Sequence, residues 1–398
     1  MLVYSKSFFD NFYTLQKAKE WLKSGFISDS EYDIIFKHYP NPYKSFNIFG
    51  RIALFLFTLF ILGSGTGLIN VMFSMVDFYR YITFQCFFFG IVSYILAEVS
   101  VRKMNFFRTG IKEALLYTAV GSLTLGIIGL ITNNNYDFNG DPLVYLLCVL
   151  PVLVFAAIRF ADTLLSFGVF ICLLLINALL ILKMGTFGKL ILPFECMAFS
   201  FLLYYLLGKL KTRGELHYWK NCMGLIEILT LIALYLSGNY MVVRKLSEAL
   251  LNTEINPGED IHLAIFFYAY TILVPLVYIW IGLKSKNYVF FRVGLLLEIA
   301  GILAIKYYHH ILPPETAMML GGIVVILIAY FSIKYLKTPK HGITFELYKR
   351  SGREEALANI ANVVISTVVA NQPVAPKQDS GVEYGGGQFG GGGAGAGY

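Results

Sequence analysis

Apolar runs about twenty residues long, separated by short charged connections, recur from Ile52 to the 330s and constrain this chain more than any other feature. A run of that length matches the thickness of a bilayer's hydrocarbon core when wound into a helix. Ten spans are read at roughly 52–73, 82–98, 114–132, 143–159, 163–182, 190–208, 221–242, 262–283, 289–306 and 317–336. The fourth and fifth are separated only by "RFAD", so a tight helical hairpin is expected there. Of the 398 residues, 57% are hydrophobic and only 14% charged, against about a quarter charged in soluble domains. The fold class expected is therefore all-α, a polytopic membrane helix bundle.

Charge placement orients the bundle. With ten spans and the N-terminus in the cytoplasm, the outer connections hold only Arg80, Lys183, Lys189, Arg244, Lys245 and Lys306 of the 32 Lys and Arg. The excess on the other side follows the positive-inside rule and places both termini in the cytoplasm. The net charge of +7 is spread over these connections, so it does not form a nucleic-acid patch. Cys86, Cys148, Cys172, Cys196 and Cys222 lie in or beside apolar runs without a CxxC pair, which fits packing rather than a disulfide framework or a zinc site. No signal peptide is read before the first span.

Residues 1–47 read as a cytoplasmic helical hairpin. Phe8, Phe12, Leu15, Ala18 and Leu22 recur at helical spacing, Gly25 ends the helix, and Ser28 with Glu31 forms a capping box for a second helix over about 29–38. Such a unit is too small to hold a core alone, so it must pack on a neighbour or on the membrane face, and it offers a surface for a protein partner. Residues 48–337 form the transmembrane bundle. Residues 338–372 are a basic cytoplasmic segment in which "EALANIANVVISTVVANQ" can form a short helix. Residues 373–398 form a Gly-rich tail expected to be disordered.

The pattern of Trp21, Gly25, Ile27 and Ser28 ahead of many spans, the "IRFAD" turn, the "YLKTPKHGITFE" exit and the Gly-rich end carry a resemblance. Together they resemble uncharacterised bacterial predicted multi-pass membrane proteins, Bacteroidetes-type, whose N-terminal hairpin is a domain of unknown function. The resemblance implies a bacterial inner membrane and no activity.

Three carboxylates fall within spans: Glu195, Glu227 and Glu298. A charged group at mid-membrane costs a few kcal/mol, about 2.5–3.5 for Asp on the insertion scale, so such groups face protein or water, or are neutral. At about 100° per residue, Gly294, Glu298 and Gly301 share one face, as do Gly224, Glu227, Leu231 and Gly238. Small residues there admit a close helix neighbour, so Glu298 is expected to point into the bundle. It is read either as a proton or cation site, with Glu227 and Glu195 as further candidates, or as a neutral or hydrogen-bonded carboxyl holding two helices together.

Other features read as structural. Arg159 and Asp162 are placed as a local ion pair at the "RFAD" turn. Arg108, Lys112 and Glu113 read as interface anchors. "GSGTG" (63–67) lies inside an apolar run and suggests close packing or a kink rather than a phosphate loop. The adjacent His309 and His310, near Glu315, diverge on a helix and make a poor metal site. "DFNGD" fails as a calcium loop because Pro142 and Cys148 replace its required glycine and glutamate. "FFRTG" (106–110) and "FFRVG" (290–294) both open cytoplasmic-side spans and read as coincidence rather than duplication.

No cofactor, metal or catalytic constellation is read. A transporter-like bundle is the first expectation, a scaffold or sensor docking through the hairpin and C-terminal segment the alternative, and a membrane-embedded lipid enzyme the third. The partners expected are the lipid bilayer and, at the hairpin, a protein, with no nucleic acid. The sequence does not specify oligomeric state.

Overall fold

The computed structural model describes residues 2–41, 43–72, 78–132, 140–211, 214–251 and 260–308, with helical positions at 322–323, 326–327, 330 and 334. Among the described residues the protein is all-α, with twelve α-helices and no strand. Eight helices are long and apolar enough to cross a membrane: α3 (Ile48–Met72), α4 (Phe78–Arg102), α5 (Ile111–Ile131), α6 (Pro142–Phe160), α7 (Thr163–Leu182), α8 (Thr186–Lys211), α9 (Lys220–Gly238) and α11 (Ala264–Ser285). They occupy the first eight expected spans, and α12 (Tyr288–Tyr308) occupies the ninth. The tenth is described only at the isolated positions above. His309, His310, Glu315 and the segments 338–372 and 373–398 lie outside the described residues.

The N-terminal hairpin consists of α1 (Lys6–Lys23) and α2 (Asp29–His38), joined through Gly25 at φ +72°. The Ser28 N–H donates to Glu31 Oε2 at 2.8 Å, and Glu31 N donates to Ser28 Oγ at 3.4 Å, which satisfies two otherwise unpaired N–H groups at the helix start. Helix α1 is not a separate unit. Its Phe8, Phe9 and Leu15 are buried, and Val3 N donates to the Arg159 carbonyl at 2.9 Å. Tyr4, Phe8 and Phe9 close on Phe107 and pack with Ala97, Val101, Leu116, Ala156 and Phe160 from α4, α5 and α6. Arg108, expected at a lipid interface, lies over the rings of Phe12 and Phe107 at 5.6 and 5.2 Å. In α2, by contrast, no residue is buried.

Helices α4 and α5, α6 and α7, α8 and α9, and α11 and α12 pack as successive pairs, while α3 packs on α5. The α6–α7 hairpin turns through Ala161 in the left-handed region (φ 47°), and Asp162 caps α7 by accepting from Leu164 N and Leu165 N at 3.0 and 3.2 Å. Helices α11 and α12 meet along a seam of three glycines. A Cβ on Gly282 would lie 2.5 Å from Phe291 N, one on Gly294 2.9 Å from Ile279 N, and one on Gly301 3.3 Å from the Thr271 carbonyl oxygen. Small residues at these positions let the backbones approach, the usual source of helix adhesion in lipid.

Two expectations are corrected. The seventh span, expected to reach 242, ends at Gly238. Asn239 leaves the helix (φ −69°, ψ 125°), and α10 (Tyr240–Leu251) follows as a separate helix packed through Tyr240 and Val243 on Ala264 and Phe267. The break is satisfied locally: Tyr240 N donates to Thr271 Oγ1 at 2.9 Å, and Val242 N to Asn239 Oδ1 at 3.3 Å. The "GSGTG" glycines do not pack closely on described residues: α3 continues through them, and no described atom lies within 4 Å of a Cβ built on Gly63, Gly65 or Gly67. The "FFRTG" and "FFRVG" stretches, read as a coincidence, sit in different settings: the first precedes α5 with Gly110 at φ +90°, while the second lies inside α12.

Two predictions follow from this packing. Replacing Gly282 by Leu forces the α11–α12 seam apart and is expected to cost about 1–3 kcal/mol, read as a lower thermal midpoint in detergent, whereas Gly63→Leu leaves it unchanged. In the capping box, the Ser28 N–H and hydroxyl hold the Glu31 carboxyl below its ordinary 4.5. Its contribution is therefore present above that value and fades as pH falls through the lower folded value. The Ser28 amide resonance should report this loss in acid, and Glu31→Gln should abolish the titration.

Candidate functional site

The three carboxylates read within expected spans, Glu195, Glu227 and Glu298, have different surroundings, and the difference singles out one of them. Glu195 on α8 accepts from Asn177 Nδ2 of α7 at 2.6 Å. Glu227 on α9 is 7% exposed and is held by the ammonium of Lys211, which reaches it from the end of α8. Both therefore tie α8 to a neighbouring helix. Glu298 on α12 differs: its Oε2 is fully buried and makes no hydrogen bond among the described residues. Glu298 is only partly buried as a residue, but a carboxylate oxygen cut off from water without a partner is disfavoured, and a proton or a cation would relieve it.

The seam supplies further oxygens beside it. Gly301, one turn above Glu298 on the same face, faces two of them: the Tyr235 hydroxyl lies 3.0 Å and the Thr271 carbonyl 3.3 Å from where its Cβ would be. Residue 275 is proline, fully buried inside α11, and has no N–H to give to the carbonyl four residues earlier. That carbonyl belongs to Thr271, so the helix leaves it without its usual donor. The Thr271 hydroxyl is committed elsewhere, donating to Phe267 O at 2.7 Å and accepting from Tyr240 N. The Tyr235 hydroxyl is oriented by Asn239 Nδ2, which donates to it at 2.9 Å. Sequence reading reached Glu298 and its glycines but not Tyr235, Asn239 or Thr271. The signal available was Pro275 four residues after Thr271 within an apolar run.

A second polar cluster lies at the end of the bundle covered by α1. Lys112, expected as an interface anchor, is only 4% exposed. Its ammonium sits 3.6 Å from Glu113 and 3.7 Å from Asp162. Glu113 also accepts from Gly110 N at 2.8 Å and lies 3.9 Å from Arg51, and the Tyr117 hydroxyl donates to Asp162 at 3.2 Å. The Arg159–Asp162 pair expected at the "RFAD" turn is replaced by two longer-range ones. Arg159 bonds to Glu98 of α4 at 2.5 Å, and Asp162 turns to Lys112. Tyr4 covers the cluster, and burial pushes its phenol above the ordinary 10 although the nearby Lys112 ammonium pulls the other way. Two cations face two carboxylates, so the cluster is balanced and its partners are all in the chain. Its ion pairs join α3, α5 and the start of α7 beneath the N-terminal segment.

Other candidate positions carry no site. Asp141 caps α6 and pairs with Lys183, whose ammonium holds it below the usual carboxylate range. Asp137 and Asn139 lie outside the described residues. No group of three or more His, Cys, Asp or Glu able to hold a metal occurs among the described residues, and all five cysteines are free thiols.

No protein-family model matches the chain, and neither a curated protein nor a solved structure matches it. The likeness to bacterial predicted membrane proteins thus rests on the sequence features quoted above alone.

Removing the ammonium at the centre of the balanced cluster leaves buried carboxylates unpaired. Lys112→Met is expected to destabilise the protein by about 3–5 kcal/mol and to expose α1 to protease. A thermal midpoint within error of wild type would show that the cluster does not hold the N-terminal segment.

Proposed function

We propose that the chain is a ten-span integral protein of a bacterial inner membrane, both termini cytoplasmic, that moves a proton or small cation through a site centred on Glu298. The observation that supports this reading is the contrast among the three carboxylates. Glu195 and Glu227 have partners that account for their presence, and Glu298 has none among the described residues. A carboxyl kept at mid-membrane without a structural partner is explained by a ligand that comes and goes. The seam gives that ligand a setting resembling the interrupted helices of carriers, where backbone carbonyls released from a helix face the bound ion.

The alternative, a scaffold or sensor that docks partners through its hairpin, draws support from α2. Helix α2 buries no residue, and Phe26, Ile34 and Phe36 at the hairpin's outer end are 85%, 67% and 52% exposed. Deleting residues 26–38, which leaves the buried part of α1 in place, separates the readings: the carrier keeps its flux and the scaffold loses its partner.

Glu298→Gln preserves shape and removes the ionisable group. In proteoliposomes it is expected to reduce proton- or sodium-driven flux by at least about tenfold. Its thermal midpoint should stay at or above wild type, because an unpaired buried acid is gone. Equal flux in the variant would end the carrier reading.

A further inference from the structure

Resting on that reading, we infer that the ligand at Glu298 is a partly dehydrated monovalent metal cation of sodium's class, coordinated by the Glu298 carboxylate, the Thr271 carbonyl and the Tyr235 hydroxyl, with water completing its shell. Three observations bear on the α9–α11–α12 seam: two neutral oxygens meet beside Gly301, and Glu298, one turn away on the same face of α12, interacts electrostatically with Tyr235. The carboxylate oxygen is buried and unpartnered. The Thr271 carbonyl is the one Pro275 deprives of a helical donor, and it faces α12 beside Gly301. The Tyr235 hydroxyl reaches the same place from α9, fixed there by Asn239.

The donor set selects the ligand's class. All three donors are hard oxygens, which suit alkali and alkaline-earth cations and not soft metals. Only one carries a full charge. A monovalent ion bound there leaves the site neutral, whereas a divalent ion would leave a net positive charge in a low-dielectric seam and lacks the six to eight oxygens calcium prefers. A proton needs the carboxylate alone and leaves the freed carbonyl and the tyrosine oxygen unexplained. A sodium-sized ion satisfies all three together. Gly301 becomes part of the site because any side chain there enters the space the two neutral donors share. Tyr235 is the titratable group facing Glu298 from α9, and α11 presents Thr271 and Pro275 on its side.

The test is modification of Glu298 by a membrane-permeant carbodiimide in native membranes, read by mass spectrometry, with sodium chloride against choline chloride at equal ionic strength. Sodium is expected to slow labelling of Glu298 at least about tenfold near neutral pH while leaving Glu195 and Glu227 unaffected. Pro275→Ala restores an N–H to the Thr271 carbonyl and is compatible with a helix. It should label as readily as wild type in choline and lose most of the sodium protection. Gly301→Ala should behave in the same way. If Glu298 labels with a pH dependence that sodium does not alter, the site binds only protons. The cation is then overturned and the carrier reading stands. If Glu298 stays inert under every condition in folded protein and Glu298→Gln keeps full flux, both fail.

Discussion

Within a bilayer the polar groups of a protein have no water to turn to, so each backbone N–H, each carbonyl and each charge must find a partner inside the chain or a ligand. This requirement explains the continuous helices and also their interruptions. Where α9 ends at Asn239, the freed N–H groups of Tyr240 and Val242 are taken up by the Thr271 hydroxyl and the Asn239 side chain. Where the chain re-enters before α5, the Glu113 carboxylate takes the Gly110 N–H. Among the three carboxylates inside the expected spans, the same accounting leaves Glu298 without a hydrogen bond among the described residues, and applied to α11 it leaves the Thr271 carbonyl without its usual helical donor.

The two ends of the fold use charge in opposite ways. Around Lys112, cations and carboxylates are matched within the protein and shielded by Tyr4 and the aromatic face of α1. Such a network is costly to desolvate and costly to break, so it serves to fix one arrangement of the N-terminal segment against the bundle. Around Glu298 the matching is incomplete, and no Lys or Arg among the described residues pairs with it. Around Lys112 each carboxylate has a cation within the chain, whereas Glu298 has none among the described residues. This contrast, rather than the mere presence of an acid in an apolar run, sets Glu298 apart.

The spans were legible because lipid imposes a single period and a minimum length, and α6 and α7 fell within a residue or so of their expected limits. Other features were hidden for physical reasons. Asn239 and Tyr240 sit in a stretch apolar enough to pass as continuous helix, and only the Thr271 hydroxyl from another helix makes the break affordable. Lys112 reads as an interface anchor because its burial depends on Tyr4 and Phe8, more than a hundred residues away in sequence. Periodicity correctly placed Gly294, Glu298 and Gly301 on one face. It could not reveal that Gly63, Gly65 and Gly67 meet no described neighbour while Gly301 meets Tyr235 and Thr271, because spacing alone does not say which helix lies opposite.

Proline and glycine act together at the seam, and neither would suffice alone. Pro275 in a helix facing lipid would expose a bare carbonyl to hydrocarbon, a cost of about 1–3 kcal/mol with nothing in return. Gly301 without a freed carbonyl opposite would be one more small residue at a close crossing. Set against each other, with Glu298 one turn away on the same face of α12, they place a carbonyl freed from its helix and an unpartnered acid on neighbouring helices. Each group is unfavourable by itself, and under the proposed cation site a single bound positive charge would relieve both. Occupancy and the stability of the α11–α12 pair would then be linked, because the helices that hold the proposed ion are the ones its departure would loosen.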